Sequence, residues 1–223
     1  MFQRRLQNQE TFVRPWDDYR QGFGNLRKEF WLGNDNLHRL SLLTPELLIQ
    51  LVDNDGNMAH ASYGTFFVGP ESENYLVKVA AYTGSAGDSL SFHYNMPFST
   101  IDVDNDEYRG SCPIDHQGAW WFKSCYKSHL NGRYDKNKKG ITWMSWKGDL
   151  SLEEAAMKLR SARGKRINDC RYYSVNFNIC RNIKSSRFYS FCKISTLYKC
   201  AAILLIFPDR HMHRALLQFN YFM

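Results

Sequence analysis

Three aspartates at alternate positions, Asp102, Asp104 and Asp106, stand just ahead of two cysteines, Cys112 and Cys125, and a double tryptophan, Trp120 and Trp121. Carboxylates at this density repel one another unless a cation lies among them. Calcium suits such a run, because a hard cation takes carboxylate and carbonyl oxygens from an irregular, turning loop. The aspartates by themselves also fit a solvated acidic turn. An EF-hand is excluded: a loop starting at Asp102 would place Glu107 where the sharp turn needs glycine, and Pro113 where the bidentate glutamate belongs.

A second cluster could do a different chemistry. Gly87-Asp88-Ser89-Leu90 spells the nucleophile block of GDSL-type hydrolases. That reaction needs an Asp and a His three residues apart near the C-terminus to activate the serine. Asp209 with His211 or His213 has the wrong spacing, so the hydrolase reading stands last and a non-enzymatic role is expected.

The elements that must position these groups are partly readable. Over residues 15 to 26, Pro15 suits a first helical position, Asp17 and Asp18 suit the positive end of the macrodipole, and Trp16, Tyr19, Phe23 and Leu26 recur at helical spacing. That stripe reads as core, with Gly22 and Gly24 at the frayed end. A second helix is expected near 34 to 41, capped by Asn34 or Asp35. Leu47, Ile49 and Leu51 alternate as a strand, and Asp53 to Gly56 is a hairpin turn rather than a metal site. Tyr75, Val77, Val79 and Ala81 alternate again, predicting a further strand of the same antiparallel sheet.

Several long segments resemble one family. FQRR (2 to 5), WDDYRQGFGNLRKEFWLGNDNLHRL (16 to 40), YLVKVAAYTGSAGDSLSFH (75 to 93), FSTIDVDNDEYRGSC (98 to 112), GAWWFKSC (118 to 125), HLNGRY (129 to 134), GITWMSWKG (140 to 148) and EAAMKLR (154 to 160) resemble, in order, the fibrinogen-like domain of fibrinogen chains, ficolins, tachylectins and angiopoietins. The resemblance implies an α+β fold, a twisted antiparallel sheet with short helices followed by a loop-rich calcium subdomain, its last strand returning to the sheet. It implies Ca2+ held by the side chains of Asp104 and Asp106 and the carbonyls of Tyr108 and Gly110, with Asp102 adding charge behind them. It also implies a disulfide between Cys112 and Cys125, a cis peptide between Ser124 and Cys125, and a ligand pocket at His116, Ser124, Cys125 and Tyr126.

In lectin members this pocket reads acetyl groups on N-acetylated sugars, so the implied function is secreted recognition of acetylated glycans in innate defence. The alternative is an angiopoietin-like ligand for a protein receptor. Two departures bear on the choice. Histidine and tyrosine are interchanged at 116 and 126, and the short basic run DKNKK replaces a longer stretch that supplies a tyrosine to the lectin pocket. The resemblance implies a further disulfide-holding segment before QRR, and homo-oligomers formed through N-terminal segments of full-length members. The start at Met1, with no apolar leader in residues 1 to 10, reads as a truncation.

The end of the chain differs in kind. Residues 1–160 hold 18 Lys and Arg against 20 Asp and Glu, a net of −2, whereas residues 161–223 hold 11 against 2, a net of +9, which accounts for the overall +7. A basic protein suggests nucleic acid or membrane partners in general, but the excess lies outside residues 1–160, and no nucleic-acid role is expected. Cys170, Cys180, Cys192 and Cys200 allow three pairings and form no CxxC. The apolar run 200–207 is far short of the roughly twenty residues that span a bilayer, though Lys193, Lys199 and Arg210 around it would favour an anionic surface. Residues 161–223 read as a basic, Cys-containing tail of unknown or no structure and without an evolved function.

Overall fold

The computed structural model describes residues 1–6, 9–43, 45–134 and 140–160. In chain order the elements are β1 (Gln3–Arg5), α1 (Trp16–Gln21), β2 (Phe23–Gly24), β3 (Phe30–Trp31), α2 (Asn34–Ser41), β4 (Glu46–Val52), β5 (Met58–Val68), β6 (Val77–Gly84), α3 (Cys112–His116), β7 (Ser128–His129), β8 (Thr142–Trp143), α4 (Met144–Lys147) and β9 (Glu154–Arg160). One antiparallel sheet runs β2-β3-β1-β9-β4-β5-β6, and β7 pairs with β8 apart from it. This is the α+β architecture that the sequence implies, with the last strand seated between β1 and β4. The tail beyond residue 160 lies outside the described residues.

The alternation of Leu47, Ile49 and Leu51 sends all three to a fully buried face, opposite Tyr63, Ala61 and Ala59 of β5. Asp53 closes the turn: its Oδ1 accepts the backbone N–H groups of Asp55 and Asn57, and Gly56 N–H donates to its carbonyl. The expected strand from Tyr75 to Ala81 holds only in part. Tyr75 precedes the strand with φ +50° and gives its hydroxyl to Asp35, and Ala81 has φ +58° and faces out. The inward face shifts parity on both paired strands there, from Tyr63 to Phe66 on β5 and after Val79 on β6. A local twist at Gly64 and Ala81 overrides the plain alternation.

Helix α1 ends at Gln21, not near 26. Gly22 has φ +101°, and a Cβ there would lie 2.7 Å from the Leu32 carbonyl carbon. Gly33 in turn would bring a Cβ within 2.5 Å of the Gln21 carbonyl oxygen. The two glycines let the end of α1 meet the start of α2 backbone to backbone. Phe23 therefore enters β2, and Leu26 is exposed. Gly33, rather than Asn34 or Asp35, occupies the N-cap of α2, because Asn34 accepts Trp31 Nε1 (3.1 Å) and Asp35 accepts Tyr75.

Helix α1 draws its own cap from far along the chain. Pro15 has no N–H or side-chain acceptor to offer, and Asp102 Oδ1 accepts Trp16 N–H at 2.9 Å while also receiving the Thr100 hydroxyl at 2.7 Å. Replacing Asp102 with alanine should cost about 1 kcal/mol and lower the melting temperature by roughly 2–4 °C. A thermal melt unchanged by the substitution would remove Asp102 from this capping role.

Candidate functional site

The site is built on residues 98–134, which hold little regular structure and are secured by side chains. Ser99 and Trp120 exchange backbone bonds, and Asn105 is fixed to Ser99 and Phe98. Asp106 organises the acidic loop: its Oδ1 accepts Tyr108 N–H at 2.8 Å, and its Oδ2 accepts Cys112 N–H at 2.9 Å, at the first turn of α3. Asp104 accepts Asp106 N–H at 3.2 Å. Burial raises the Asp106 pKa and the nearby Asp104 charge adds to it, against the two N–H bonds, which lower it. Asp102 reaches the start of α1 through Oδ1.

This donor set tests whether calcium fits. Among the described residues no three His, Cys, Asp or Glu side chains converge to hold a metal. A site would therefore need the pair Asp104 and Asp106 together with main-chain oxygens, and Tyr108 and Gly110 lie next along the same turn. All of these donors are hard oxygens, each Asp106 oxygen keeps a second lone pair, and a cation would relieve the Asp104 repulsion that adds to the effect of burial on Asp106. The chemistry of these donors suits a hard cation such as calcium.

Behind the loop, Cys112 joins Cys125 with a Cα–Cα distance of 5.6 Å, and the Ser124–Cys125 peptide is cis. Glu107 N–H donates to the Lys123 carbonyl and Lys123 N–H to the Cys125 carbonyl, so the acidic loop and the cis peptide share one framework. Between them opens a cleft of about 370 Å³ lined by Tyr108, Asp115, His116, Ser124, Cys125, Tyr126 and Met144. The four pocket residues named from the sequence, His116, Ser124, Cys125 and Tyr126, thus meet in one cavity. His116 and Tyr126 stand edge to face at 4.8 Å, with Phe122 and His129 packed alongside Tyr126.

Sequence reasoning missed Asp115, Met144 and the Tyr108 side chain, which reach the cleft from α3, α4 and the acidic loop. It also missed His93. That ring is fully buried, its Nδ1–H donates to the Trp121 carbonyl at 2.6 Å, and its Nε2 accepts Lys127 and Ser128 N–H at 3.2 and 3.1 Å. Only the neutral tautomer can do both, and burial pushes its pKa down to about 4. His129 is buried as well, and burial, with the charges of His116, Arg5 and His93, lowers it far below the ordinary range. The wall at Met144 is braced from the β4–β5 turn, where Lys147 Nζ lies 2.6 Å from Asp53 Oδ2. Lys147, and after it Asn57, holds the Asp53 carboxyl well below the usual carboxylate range.

The serine of the GDSL block is not presented to solvent. Ser89 is fully buried, its hydroxyl donates to Ser145 Oγ and accepts Ser145 N–H, both at 2.9 Å, and Gly87 accepts Trp143 Nε1. These letters pin β8 and α4. Asp209, His211, His213 and the DKNKK run lie outside the described residues.

Residues 1–162 match the family described as fibrinogen beta and gamma chains, C-terminal globular domain. The chain belongs to the fibrinogen C-terminal family. It is 44% identical to human tenascin-R over 181 residues, which is 79% of this chain and 13% of that protein. It is 45% identical to human ficolin-3 over 155 residues, 66% of this chain and 52% of that one. In three dimensions the fibrinogen-like domain is similar to the fibrinogen-like globe domain of human ANGPTL2, with a TM-score of 0.70, 36% identity, and coverage of 72% of this chain and 79% of that one. The chain thus spans about an eighth of human tenascin-R and about half of ficolin-3. Among the described residues, no helix is long and apolar enough to cross a membrane.

Proposed function

We propose that this fibrinogen-like domain is an extracellular, calcium-dependent recognition domain whose cleft takes the N-acetyl group of a glycan, a role suited to innate defence. The observation that carries the reading is the convergence of His116, Ser124, Cys125 and Tyr126 on one cleft beside the acidic loop. Asp104, Asp106 and the carbonyls of Tyr108 and Gly110 would hold the calcium. The ion, when bound, supplies charge neutralisation. Asp106 then keeps Tyr108 and Cys112 in place through its N–H bonds, and the disulfide relays that placement to the cis peptide. The aromatic rings of His116 and Tyr126 supply the apolar wall an acetyl methyl group needs.

The test is retention of the protein on N-acetylglucosamine resin in calcium and its release by chelator; indifference to both would overturn the reading. Calcium at a hundredfold excess over its Kd should also stabilise the fold by about 2.7 kcal/mol, read as a higher melting temperature that chelator reverses. The likeness to an angiopoietin-like globe favours a second reading, a ligand for a protein receptor. Free N-acetylglucosamine separates the two, because it should abolish glycan binding and leave receptor binding unchanged.

A further inference from the structure

The acetyl reading uses the closed end of the cleft and leaves its mouth without a role. Tyr126 is only 9% exposed, whereas Tyr108, on the same lining, is 44% exposed. A cleft of about 370 Å³ has the size of a site for a whole small molecule, and an acetyl group fills a small part of it. Asp115 and Ser124 also line the cleft and are exposed. Among the described residues, neither the Asp115 carboxylate nor the Ser124 hydroxyl has a hydrogen-bond or ion-pair partner.

The Tyr108 ring has a fixed seat. Asp106 Oδ1 accepts the Tyr108 N–H at 2.8 Å, and two residues on, Gly110 leaves room for the ring to fold back onto the main chain. A Cβ added at Gly110 would lie 2.6 Å from Tyr108 Cε1, closer than a side chain can come. The ring therefore rests against the acidic loop on one side and opens to the cleft and solvent on the rest. A pyranose ring is amphipathic in the same way as this mouth. Its C–H groups pack against the negative face of an aromatic ring, while its hydroxyls meet groups that accept, as Asp115 does, or both donate and accept, as Ser124 does. An acyclic acetylated amine carries the acetyl group but has neither a rigid C–H face nor a rim of hydroxyls.

We infer that Tyr108, seated on Gly110 at the mouth of the cleft, is a specificity-determining platform for a pyranose ring, so that the ligand class is an acetylated sugar and not an acetylated amine of any shape. This rests on the acetyl-binding reading of the cleft. The acetyl group enters beside Tyr126, and the sugar ring that carries it lies on Tyr108 with its hydroxyls toward Asp115 and Ser124. The side chain at 108, and not its carbonyl alone, then takes part in recognition.

The test measures binding of the full chain, in calcium, to N-acetylglucosamine and to N-acetylethanolamine, an acyclic amide with the same acetyl group. The sugar should bind about two- to tenfold more tightly, the gain of one added aromatic contact. Tyr108→Ala should bring that ratio close to one, and Tyr108→Phe, which keeps the ring, should retain it. In the unaltered protein, magnetic saturation passed from protein to sugar should reach the pyranose C–H protons as well as the acetyl methyl, a readout independent of any variant's folding. A ratio near one in the unaltered protein, a ratio that survives Tyr108→Ala, or saturation confined to the methyl group overturns the platform and leaves the acetyl reading standing. Binding of neither compound overturns the acetyl reading and the platform with it.

Discussion

Glu29→Ala should lower the stability of the fibrinogen-like domain by about 3–5 kcal/mol, the cost of leaving a buried charge without its partner. Arg5 and Glu29 are each 1% exposed, with Arg5 Nε 3.5 Å from Glu29 Oε1. Burial lowers the Arg5 pKa, and the Glu29 carboxylate opposes that effect by holding the guanidinium charged. The carboxylate also accepts the N–H groups of Leu6, Gln9 and Glu10, while Arg5 lies over the Phe12 ring at 4.0 Å and donates to the carbonyls of Leu130 and Gly132. Loss of the carboxylate therefore strands a cation and three backbone donors together, and it loosens the segment that follows the cleft. Urea unfolding at neutral pH measures the effect. A loss under about 1 kcal/mol would mean that water reaches Arg5. Replacing both residues with apolar ones of similar volume should restore only the part due to the stranded charge, because the N–H groups of Leu6, Gln9 and Glu10 and the carbonyls of Leu130 and Gly132 would still lack these partners.

Acid should weaken the same domain through His93. The unfolded chain binds this proton near pH 6.5, but the folded domain binds it only near pH 4. Between those values the unfolded state holds more protons, so stability is complete above pH 6.5, falls as the pH drops, and levels off below about 4. The whole window is worth about 3 kcal/mol, and His129, shifted the same way, adds to it. Carboxylates with depressed pKa values, such as Asp53, act at lower pH and do not blur the result. His93→Phe should flatten the slope between pH 6.5 and 4. It should also cost stability at neutral pH, because Lys127 and Ser128 N–H lose their acceptor. An unchanged slope in the variant would assign the acid sensitivity elsewhere.

Much of this was legible in the residues, and the misses have causes. The β4 pattern and the Asp53 turn are local, set by period and turn chemistry, and they appear as read. Helix α2 also appears over the expected span, but its cap does not, since Trp31 and Tyr75 claim Asn34 and Asp35 from other parts of the fold. The early end of α1 depends on the approach of Leu32 to Gly22, and the parity shift at Ala81 on a strand partner opposite it. In each case a long-range contact outweighs a local preference. At the site, His116, Ser124, Cys125 and Tyr126 gather in one cleft, whereas Asp115 and Met144 join it, and His93 holds the backbone at Trp121, Lys127 and Ser128, through tertiary packing that spacing along the chain cannot show.

The place of β9 bears on how the protein is made. A ribosome delivers β1 first and β4 soon after, yet the strand that belongs between them, Glu154–Arg160, emerges at the end of the domain. Until residue 160 leaves the exit tunnel, two strand edges that will be internal stay open, each offering unpaired N–H and C=O groups to other chains. The sheet therefore stays incomplete until its final strand has been made. A chain cut before residue 154 should expose both edges at once and aggregate more readily than one that reaches residue 160, which light scattering of the two would measure.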